Sequence, residues 1–514
     1  MRKFGARLNG RPLRGGDFAF ALAVLLVVGT YVALISSHLR LPLEYDEAFN
    51  ITVVENFAER FFYGTNGAIN PSAGPQLFDP LITTGPTLLL PAALVWRLSN
   101  GAIWATRLAP VAFFGLYLFG CWAAAKGLLS RWYRLAMVAG PLTLVVPTGF
   151  EHAAFVPTRM VGETTAATMI LWGLLLASRG RMWWGGLLVG LAVQTKFVAA
   201  IPAAVVVIAV LIIVHAHGGA DRWRQSLRWM LGAMVPTLLF EASRLLALGW
   251  DRYVDNTDQI FNYSRSVAQL GDKDSSDAMT KLTSLGNMFY THSFLVVTGA
   301  FVVLLALAAF AVANPDRSTP DQHVREHAWS MATFVSVSVL AGGSSLLFWI
   351  LAVQERSGRH ALLGILLLFP GLALFLAYLV SAIKPRRLVR IPLSLALAAT
   401  MAFVVIDSAN KSAESLVRES VFDEQVRVAR IIEESGTPSI DVDGWWQRPE
   451  FQILTDLPVE TPSNPARLLI FDSIQGGYMF GSTDMTAFPS TQFYADKCLY
   501  SVYESPYYVL CRPS

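Results

Sequence analysis

The feature that most constrains this chain is a series of apolar stretches, each about as long as a lipid bilayer is thick. Crossing the hydrocarbon core takes roughly 20 apolar residues in a helix. We predict about eleven such spans, near residues 17–36, 104–125, 135–150, 164–178, 183–196, 197–214, 229–248, 292–312, 329–352, 361–382 and 391–407. Only 15% of the 514 residues are charged, against about 25% in soluble domains. The sequence therefore predicts an α-helical polytopic membrane protein.

Basic residues indicate how the spans are oriented, because loops rich in Lys and Arg stay in the cytoplasm. Basic clusters precede the first span and follow the second, fourth, sixth and tenth spans. Their members include Arg2, Lys3, Arg7, Lys126, Arg131, Arg134, Arg179, Arg181, Arg222, Arg224, Arg228, Lys384, Arg386 and Arg387. If the spans alternate, all these clusters lie on one side. We therefore expect a multi-pass protein of the bacterial inner membrane with a cytoplasmic N-terminus and an extracytoplasmic C-terminus.

The loop between the first two spans, residues 37–103, predicts two interfacial helices. Residues 47–62 form an amphipathic pattern that is typical of a helix lying in the interface plane. Ile51 is on its apolar face, and Asn50 is on its polar face. Residues 86–98 are too few to cross the bilayer, and we expect them to form a helix that dips into the outer leaflet.

The chain changes character near residue 407. The membrane-embedded domain, 1–406, gives way to a polar tail, 407–514, with turn residues and short β-type runs such as Leu468–Phe471. Residues 412–434 have a helical pattern. These features predict a small α/β domain outside the membrane.

Two cysteines in the tail bracket a predicted hairpin. Cys498 and Cys511 flank a sequence that we expect to turn at Glu504–Ser505. That register places the two cysteines opposite each other, at a separation that suits a disulfide. Oxidised pairs belong outside the cytosol, which agrees with the charge bias. The alternative is a pair of free thiols. Cys121 lies within a span and is expected to be inert.

Ionisable residues gather at the predicted outer ends of the spans, whereas the span middles contain almost none. Such residues in membrane segments are costly and usually functional. The set comprises Asp46, Glu47, Arg107, Glu151, His152, Arg159, Glu163, Lys196, Glu241, Arg244, Glu355, Arg356, Arg359 and His360. Acids and bases occur together there, while the inner side has mostly Lys and Arg. This difference predicts a polar cavity that opens outward.

Motifs for several other chemistries are absent. The chain has no phosphate-binding GxxxxGK[ST] and no dinucleotide-binding fingerprint, and it lacks the HExxH and CxxC patterns of zinc sites. We expect no cofactor, although a divalent metal stays open. The net charge of +3 gives no indication of nucleic acid.

A substrate with a membrane tail, a phosphate and a sugar would suit the predicted cavity. Displacing a sugar from phosphate needs one carboxylate that deprotonates the acceptor hydroxyl. The leaving phosphate needs Arg or Lys to hold its charge.

The segment YDEAF at Tyr45–Phe49 resembles the Asp-Glu signature of the GT-C glycosyltransferases. The nearest branch is that of the protein O-mannosyltransferases and lipid A aminoarabinose transferases. Similar patterns continue in TGPTLL at 84–89, Arg107-Leu108, Gly162-Glu163 and GLAVQTK at 190–196. The resemblance covers roughly residues 17–370 and leaves out the tail.

The resemblance implies a single inverting displacement from a polyprenyl-phosphate sugar. Asp46 matches the general base, and Glu47 would support or orient it. Lys196 matches a lysine in the family's outward cavity, and Glu163 matches an acid that orients sugar or acceptor. The membrane lipid carrier is then the donor, while the acceptor could be a lipid, a glycan or a protein.

Further cations match the family's contacts with the carrier phosphate. Arg356 and Arg359 stand before a late span where the family often has an Arg-Tyr pair, and here His360 replaces the Tyr. Tyr263 and Arg265 lie in the outer loop 249–291, where relatives have another phosphate-facing Arg. Arg244 is a further candidate for substrate binding.

Other interpretations of the same residues are open. Asp46 and Glu47 could merely favour a helix start, and Arg107 and Arg244 could mark interfaces or pair with acids. As a whole, the chain could be a multi-span transporter or a flippase for lipid-linked substrates. It could also be an anchor that presents the tail to a partner. Transporters tend to place ionisable residues near the midplane, which this sequence does not show.

Overall fold

The computed structural model describes fifteen parts of the chain. They are residues 15–67, 75–126, 131–144, 156–217, 219–269, 278–282, 322–353, 359–382, 422–437, 440–442, 448–455, 457, 468–472, 498–505 and 508–513. Five helices in these parts are long and apolar enough to cross a membrane. They are Asp17–His38, Ile103–Ala125, Phe197–Ala216, Arg222–Leu248 and Thr333–Ala352. These five match the first, second, sixth, seventh and ninth predicted spans.

The membrane part is built from helices. In chain order they are α1 (Gly15–His38), α2 (Tyr45–Arg60), α3 (Pro86–Leu98), α4 (Ile103–Thr106), α5 (Leu108–Ala125), α6 (Arg131–Ala139), α7 (Glu163–Ser178), α8 (Met182–Thr195), α9 (Ala200–His217), α10 (Arg222–Leu248), α11 (Trp250–Gln269), α12 (278–282), α13 (Gln322–Ala352) and α14 (Arg359–Ala382). Short 3-10 turns follow α6 and precede α9 and α10. Apolar side chains of α1, α5 to α10, α13 and α14 form the largest buried cluster of the described residues.

Most of the other predicted spans are helical where the structure describes them. α7, α8 and α14 correspond to the spans expected at 164–178, 183–196 and 361–382. The spans expected at 292–312 and 391–407 lie outside the described residues. The total of about eleven therefore stays a prediction.

The span expected at 135–150 is described only as far as residue 144, and there it departs from one continuous α-helix. The α-helix begins at Arg131 and ends at Ala139, and a 3-10 turn follows over Gly140–Leu144. Pro141 explains the change, because proline lacks an N–H and its ring clashes with the carbonyl four residues earlier.

The two helices predicted in the first loop are present, but α2 is more buried than expected. Asn50, which the sequence placed on a polar outer face, is 2% exposed. The reason is that its side chain bonds to other parts of the protein rather than to water. α3 begins with Pro86 in its first turn, where proline is favoured. It packs against α2 in a second apolar cluster.

The predicted outer loop 249–291 contains regular structure. Residues 250–269 form α11, which follows α10 after Gly249. α11 carries exposed apolar residues, including Trp250 and Phe261. The loop prediction missed this helix because its pattern is amphipathic and too polar for a span.

The described parts of the tail contain two helices and a sheet. The helices are α15 (422–434) and α16 (Arg448–Thr455), and the small hairpin near α2 is formed by β1 (Gly64–Thr65) and β2 (Gln76–Leu77). The tail sheet has the order β3–β4–β6–β5, with β3 (Ile440–Val442), β4 (Leu468–Asp472), β5 (Cys498–Glu504) and β6 (Tyr508–Pro513). β3 and β4 are parallel, and the other neighbours are antiparallel. A separate domain from residue 407 onward stays a prediction.

The tail hairpin forms, but its register differs from the predicted one. Cys511 lies opposite Ser501, and Cys498 lies opposite Pro513, with irregular pairing between them. β5 ends at Glu504, which pairs with Val509, and β6 begins at Tyr508. This register moves the two cysteines out of direct opposition. Cys511 is nevertheless disulfide-bonded, while Cys121 is buried and free. Pairing of Cys511 with Cys498 stays a prediction.

Candidate functional site

The acidic pair lies in the first turn of α2. The N-cap residue is Glu44, whose side chain makes no capping hydrogen bond and instead forms an ion pair with Arg159. Asp46 is half-buried, and Glu47 is buried. Both acids occupy the end of the helix where its dipole favours negative charge.

Glu47 is held by Arg107, which lies between α4 and α5. Nε of Arg107 donates to Oε1 of Glu47 at 2.8 Å, and Nη2 donates to Oε2 at 2.6 Å. Both side chains are 1% exposed. Nη1 also donates to the carbonyls of Leu39 and Leu41, at 2.8 and 2.7 Å. This bidentate pair fixes the residue next to Asp46 together with the segment that precedes α2.

Asn50 connects α2 to two other segments. Its Nδ2 donates to the carbonyl of Met160 at 2.6 Å and to Oγ1 of Thr84 at 3.2 Å. Asn50 comes four residues after Asp46, so the two side chains share a face of the helix. The face of α2 that carries Asp46 therefore lies toward the start of α7 and the start of α3.

Three chain segments meet in close contact beside this face. Thr84 and Lys196 form an antiparallel bridge, and the N–H of Gly85 donates to the carbonyl of Thr195 at 2.7 Å. A Cβ on Gly85 would stand 1.7 Å from a carbonyl oxygen of α8, and one on Gly162 would stand 2.8 Å from the Thr195 oxygen. Only glycine fits at both positions, and this brings Lys196 against the start of α7.

The junction contains a second buried ion pair. Nζ of Lys196 lies 3.3 Å from Oε1 of Glu163, and the side chains are 10% and 1% exposed. The two charges are within ion-pair distance, yet neither carboxylate oxygen of Glu163 accepts a hydrogen bond from the parts of the chain that the structure describes. Oδ1 of Asn50 and Oγ1 of Thr165 also lack a partner there. Buried acceptors of this kind are suited to hydroxyl groups of a ligand or to water.

Tyr263 lies near the start of α2. Burial raises the pKa of Tyr45, and electrostatic interactions with Tyr263 and Asp79 raise it further. Asn256, also on α11, donates from Nδ2 to the carbonyl of Phe78 at 2.9 Å. The Asn256 bond thus holds α11 beside the site, and Tyr263 of α11 lies near Tyr45.

Arg244 has partners of its own on α10 and α11. Its Nη2 lies 2.9 Å from Oε2 of Glu241 and donates to Oγ1 of Thr257 at 2.7 Å. Its guanidinium carbon stands 4.6 Å from the centre of the Tyr253 ring. These contacts join α10 to α11 and account for its burial.

The remaining candidates are only partly placed. Arg265 lies in α11, Arg359 begins α14 and His360 follows it, but their side chains lie outside the described residues, as does all of Arg356. Among the residues that the structure does describe, no group of three or more His, Cys, Asp or Glu side chains could hold a metal ion.

The sequence indicated the charged residues of the site but not the contacts that assemble it. Asn50 was assigned only to a polar face and Thr84 only to a family-like motif, and the partner of Arg107 was not identified. The spacing of four between Asp46 and Asn50 is a signal that could have indicated a shared face. No comparable signal connects Thr84 with Lys196, because their pairing is backbone to backbone.

The fold is similar to that of two solved structures of one protein. The chain aligns with ArnT from Cupriavidus metallidurans bound to undecaprenyl phosphate, with a TM-score of 0.56. It aligns with the apo state of the same protein with a TM-score of 0.57. Both alignments cover 96% of this chain and 98% of ArnT at 13% sequence identity.

The chain has the ArnT fold. ArnT is a lipid A aminoarabinose transferase of the GT-C type, so the resemblance predicted from the sequence is confirmed for the fold. The alignment also includes the tail, which the sequence patterns did not cover. No family model and no curated protein matches the chain.

Proposed function

We propose that this protein is an integral membrane glycosyltransferase that moves a sugar from a polyprenyl-phosphate carrier to an acceptor on the outer face of the cytoplasmic membrane. One observation carries the proposal. The face of α2 that bears Asp46 is joined through Asn50 to Thr84, which pairs with Lys196. Lys196 forms a buried ion pair with Glu163, whose carboxylate accepts no hydrogen bond from the described residues. This arrangement occurs in a fold shared with a protein that binds undecaprenyl phosphate.

The proposed reaction is a single displacement at the anomeric carbon. The acceptor hydroxyl oxygen forms a bond to that carbon, and its proton passes to the Asp46 carboxylate. The bond from the carbon to the phosphate oxygen breaks, and its electron pair leaves with the carrier phosphate. Attack from the side opposite the phosphate inverts the configuration.

The other residues have distinct proposed roles. Lys196 offsets the negative charge that develops on the leaving phosphate, and Glu163 accepts hydrogen bonds from hydroxyls of the sugar or the acceptor. Glu47 positions Asp46 through its bond to Arg107. Arg356, Arg359 and His360 are proposed to contact the carrier near the start of α14. This chemistry requires no metal.

The proposal includes a membrane topology. About eleven spans, with the N-terminus in the cytoplasm, place the tail and the Asp46 site on the same extracytoplasmic side. The clustering of basic residues in alternate loops supports this orientation. The acceptor class, whether lipid, glycan or protein, is open.

Purified protein in nanodiscs with synthetic polyprenyl-phosphate sugars tests the proposal. Membrane lipid, glycan and protein fractions serve as acceptors, and released polyprenyl phosphate is measured with and without a chelator. We expect transfer in both conditions and a product of inverted anomeric configuration. Retained configuration, or movement of the intact carrier lipid across the bilayer without sugar release, would contradict the proposal. The second result would favour the flippase interpretation.

Asp46→Asn tests the base directly. Loss of a general base typically lowers turnover about 10²- to 10⁴-fold, and we expect a decrease in that range with normal folding. Asp255→Asn, an exposed acid on α11, is the matched control and should keep wild-type turnover. If Asp46→Asn retains more than about a tenth of the activity, well outside the range for a lost base, Asp46 is not the base.

A further inference from the structure

The six residues 39–44 that join α1 to α2 form the approach to Asp46. Leu41 and Leu43 are 2% and 1% exposed, and Pro42 between them is also buried. Backbone N–H and C=O groups that are buried this deeply need partners inside the protein. The conformation of this segment therefore depends on which groups supply those partners.

Arg107 supplies partners for the first half of the segment. Its guanidinium binds the carbonyls of Leu39 and Leu41 and, at 3.5 Å, that of Pro42. It does not reach Leu43, which lies three residues before Asp46.

The partner of Leu43 comes from the tail. Oε1 of Gln425 accepts a hydrogen bond from the N–H of Leu43 at 2.9 Å, and Nε2 of the same side chain donates to the Leu43 carbonyl at 3.3 Å. Gln425 is 1% exposed. One carboxamide thus satisfies both backbone groups of Leu43, as a neighbouring β-strand would.

The same part of α15 also reaches Arg107. The Phe422 ring lies 5.7 Å from the guanidinium carbon of Arg107, and it comes three residues before Gln425 on one helical face. Phe422 packs against the apolar cluster of α2 and α3, as do Ile453 and Leu454 of α16. The tail therefore bonds directly to the approach to Asp46 through Gln425. Through Phe422 it also contacts Arg107, which holds the other part of that approach.

We infer that Gln425 is a positioning residue for the transfer reaction, and that the tail is thereby part of the transferase machinery. By holding Leu43 it sets the point at which α2 starts, and with it the position of the Asp46 carboxylate. The inference rests on the proposed function, in which Asp46 is the general base.

Gln425→Leu removes both hydrogen bonds and keeps the side chain close in size. Small displacements of a catalytic group can lower the rate about 100-fold, and we expect kcat to fall about 10- to 100-fold for the correctly folded protein. KM for a synthetic polyprenyl-phosphate sugar should not change, because the inferred role acts through Asp46 and not on the donor. Gln452→Leu on α16 is the matched control and should keep both constants. Unchanged kcat in Gln425→Leu, or a change confined to KM, would overturn the inference.

Gln425→Glu gives a second test that does not depend on the first variant folding. The introduced carboxyl can donate to the Leu43 carbonyl only when it is protonated. We expect the ratio of the Gln425→Glu kcat to the wild-type kcat to rise as the pH falls. Dividing by the wild-type kcat removes the pH dependence that both proteins share through Asp46. A ratio that is independent of pH would show that the donor to Leu43 has no role.

Hydrogen exchange separates this inference from the proposed function. The Leu43 amide should exchange faster in Gln425→Leu than in wild type, whether or not the protein transfers sugar. One outcome is that wild type transfers no sugar while the Leu43 amide still exchanges faster in Gln425→Leu than in wild type. The proposed function then fails, and the contact is still shown to hold residues 39–44. If Asp46→Asn is inactive and Gln425→Leu matches wild type in exchange and kcat, only the positioning role fails.

Discussion

Two buried ion pairs lie at the same end of the helix bundle and differ in how completely they are bonded. Arg107 uses its guanidinium on both oxygens of Glu47 and on three backbone carbonyls. Lys196 and Glu163 are joined by one contact of 3.3 Å, and neither Glu163 oxygen accepts a hydrogen bond from the described residues. Both pairs are buried, so burial of charge alone does not identify a ligand site.

The contrast extends to a second lysine. Nζ of Lys281 on α12 donates to three carbonyls at the end of α13, those of Trp349, Ile350 and Val353. An ammonium group has three N–H donors, and all three are used. Burial lowers the pKa of this lysine. Saturated charges such as Arg107 and Lys281 therefore hold segments together, whereas Lys196 and Glu163 retain bonding capacity for a ligand.

A large loss of activity, up to about tenfold smaller than that of Asp46→Asn, is expected for Lys196→Met. Removing one electrostatic contact to a developing negative charge typically costs about 10²- to 10³-fold in kcat, and turnover of the synthetic donor should fall by that amount. Lys126→Met, at an exposed position after α5, provides a control for the loss of one lysine. Wild-type kcat in Lys196→Met would place this lysine among the structural charges.

The largest effect on stability is expected for Arg107→Met. Removing one member of a buried pair costs about 3–5 kcal/mol, because Glu47 and several carbonyls lose their donors. Thermal unfolding in detergent measures the loss. Arg97→Met is the matched control, since Arg97 is exposed, has a long hydrogen bond of 3.4 Å to the Ala58 carbonyl and lies 5.9 Å from the centre of the Phe61 ring. Equal melting temperatures for the two variants would refute a structural role for Arg107.

Lys281→Met, like Arg107→Met and unlike Lys196→Met, should lower the stability of the protein rather than its turnover. The loss of stability should be smaller than in Arg107→Met. Leaving buried carbonyls unsatisfied costs about 1–3 kcal/mol per group, and part of that loss is recovered where water reaches them. We expect a lower melting temperature with normal turnover of the folded protein. A selective loss of turnover would mean that Lys281 contributes to the site.

The smallest effect is expected for Arg359→Lys at the start of α14. Lys keeps the charge but cannot form a bidentate bond to phosphate. Losing one charge-assisted hydrogen bond weakens binding about tenfold, and a titration with polyprenyl-phosphate sugar should show this change. Unaltered affinity would indicate that Arg359 only anchors the helix in the interface.

The sequence predicted most of the long apolar helices, because each of them has a local signal. Apolar runs located α1, α5, α9, α10 and α13. The amphipathic pattern after residue 45 indicated α2, and it placed the acidic pair at the start of that helix. The ArnT-like fold followed from short motifs in the correct order, even though identity to ArnT is only 13%.

The arrangement of the site could not be predicted in the same way, because its contacts join residues that are far apart in sequence. Glu47 and Arg107 are separated by 60 positions, and Leu43 and Gln425 by 382. Asn50 was assigned to a polar outer face because its side chain is polar, although its hydrogen bonds are internal. Polar periodicity does not distinguish a side chain bonded to water from one bonded to protein.

The central claim is that the Glu47–Arg107 pair is structural and that the Glu163–Lys196 pair binds a ligand. A comparison of two isosteric variants tests this claim most directly. Glu47→Gln and Glu163→Gln make the same chemical change in the two buried pairs, and melting temperature and turnover are measured for both. We expect Glu47→Gln to destabilise the protein by about 3–5 kcal/mol, because an amide N–H₂ would face the Arg107 donors. Turnover of the folded fraction should fall less than in Glu163→Gln, since Glu47 acts only by positioning Asp46. Glu163→Gln should lower the melting temperature less than Glu47→Gln does, because it breaks a single contact of 3.3 Å, and it should lose about 100-fold or more of the turnover. The opposite pattern, or equal effects on both properties in both variants, would contradict the division between structural and ligand-binding charges.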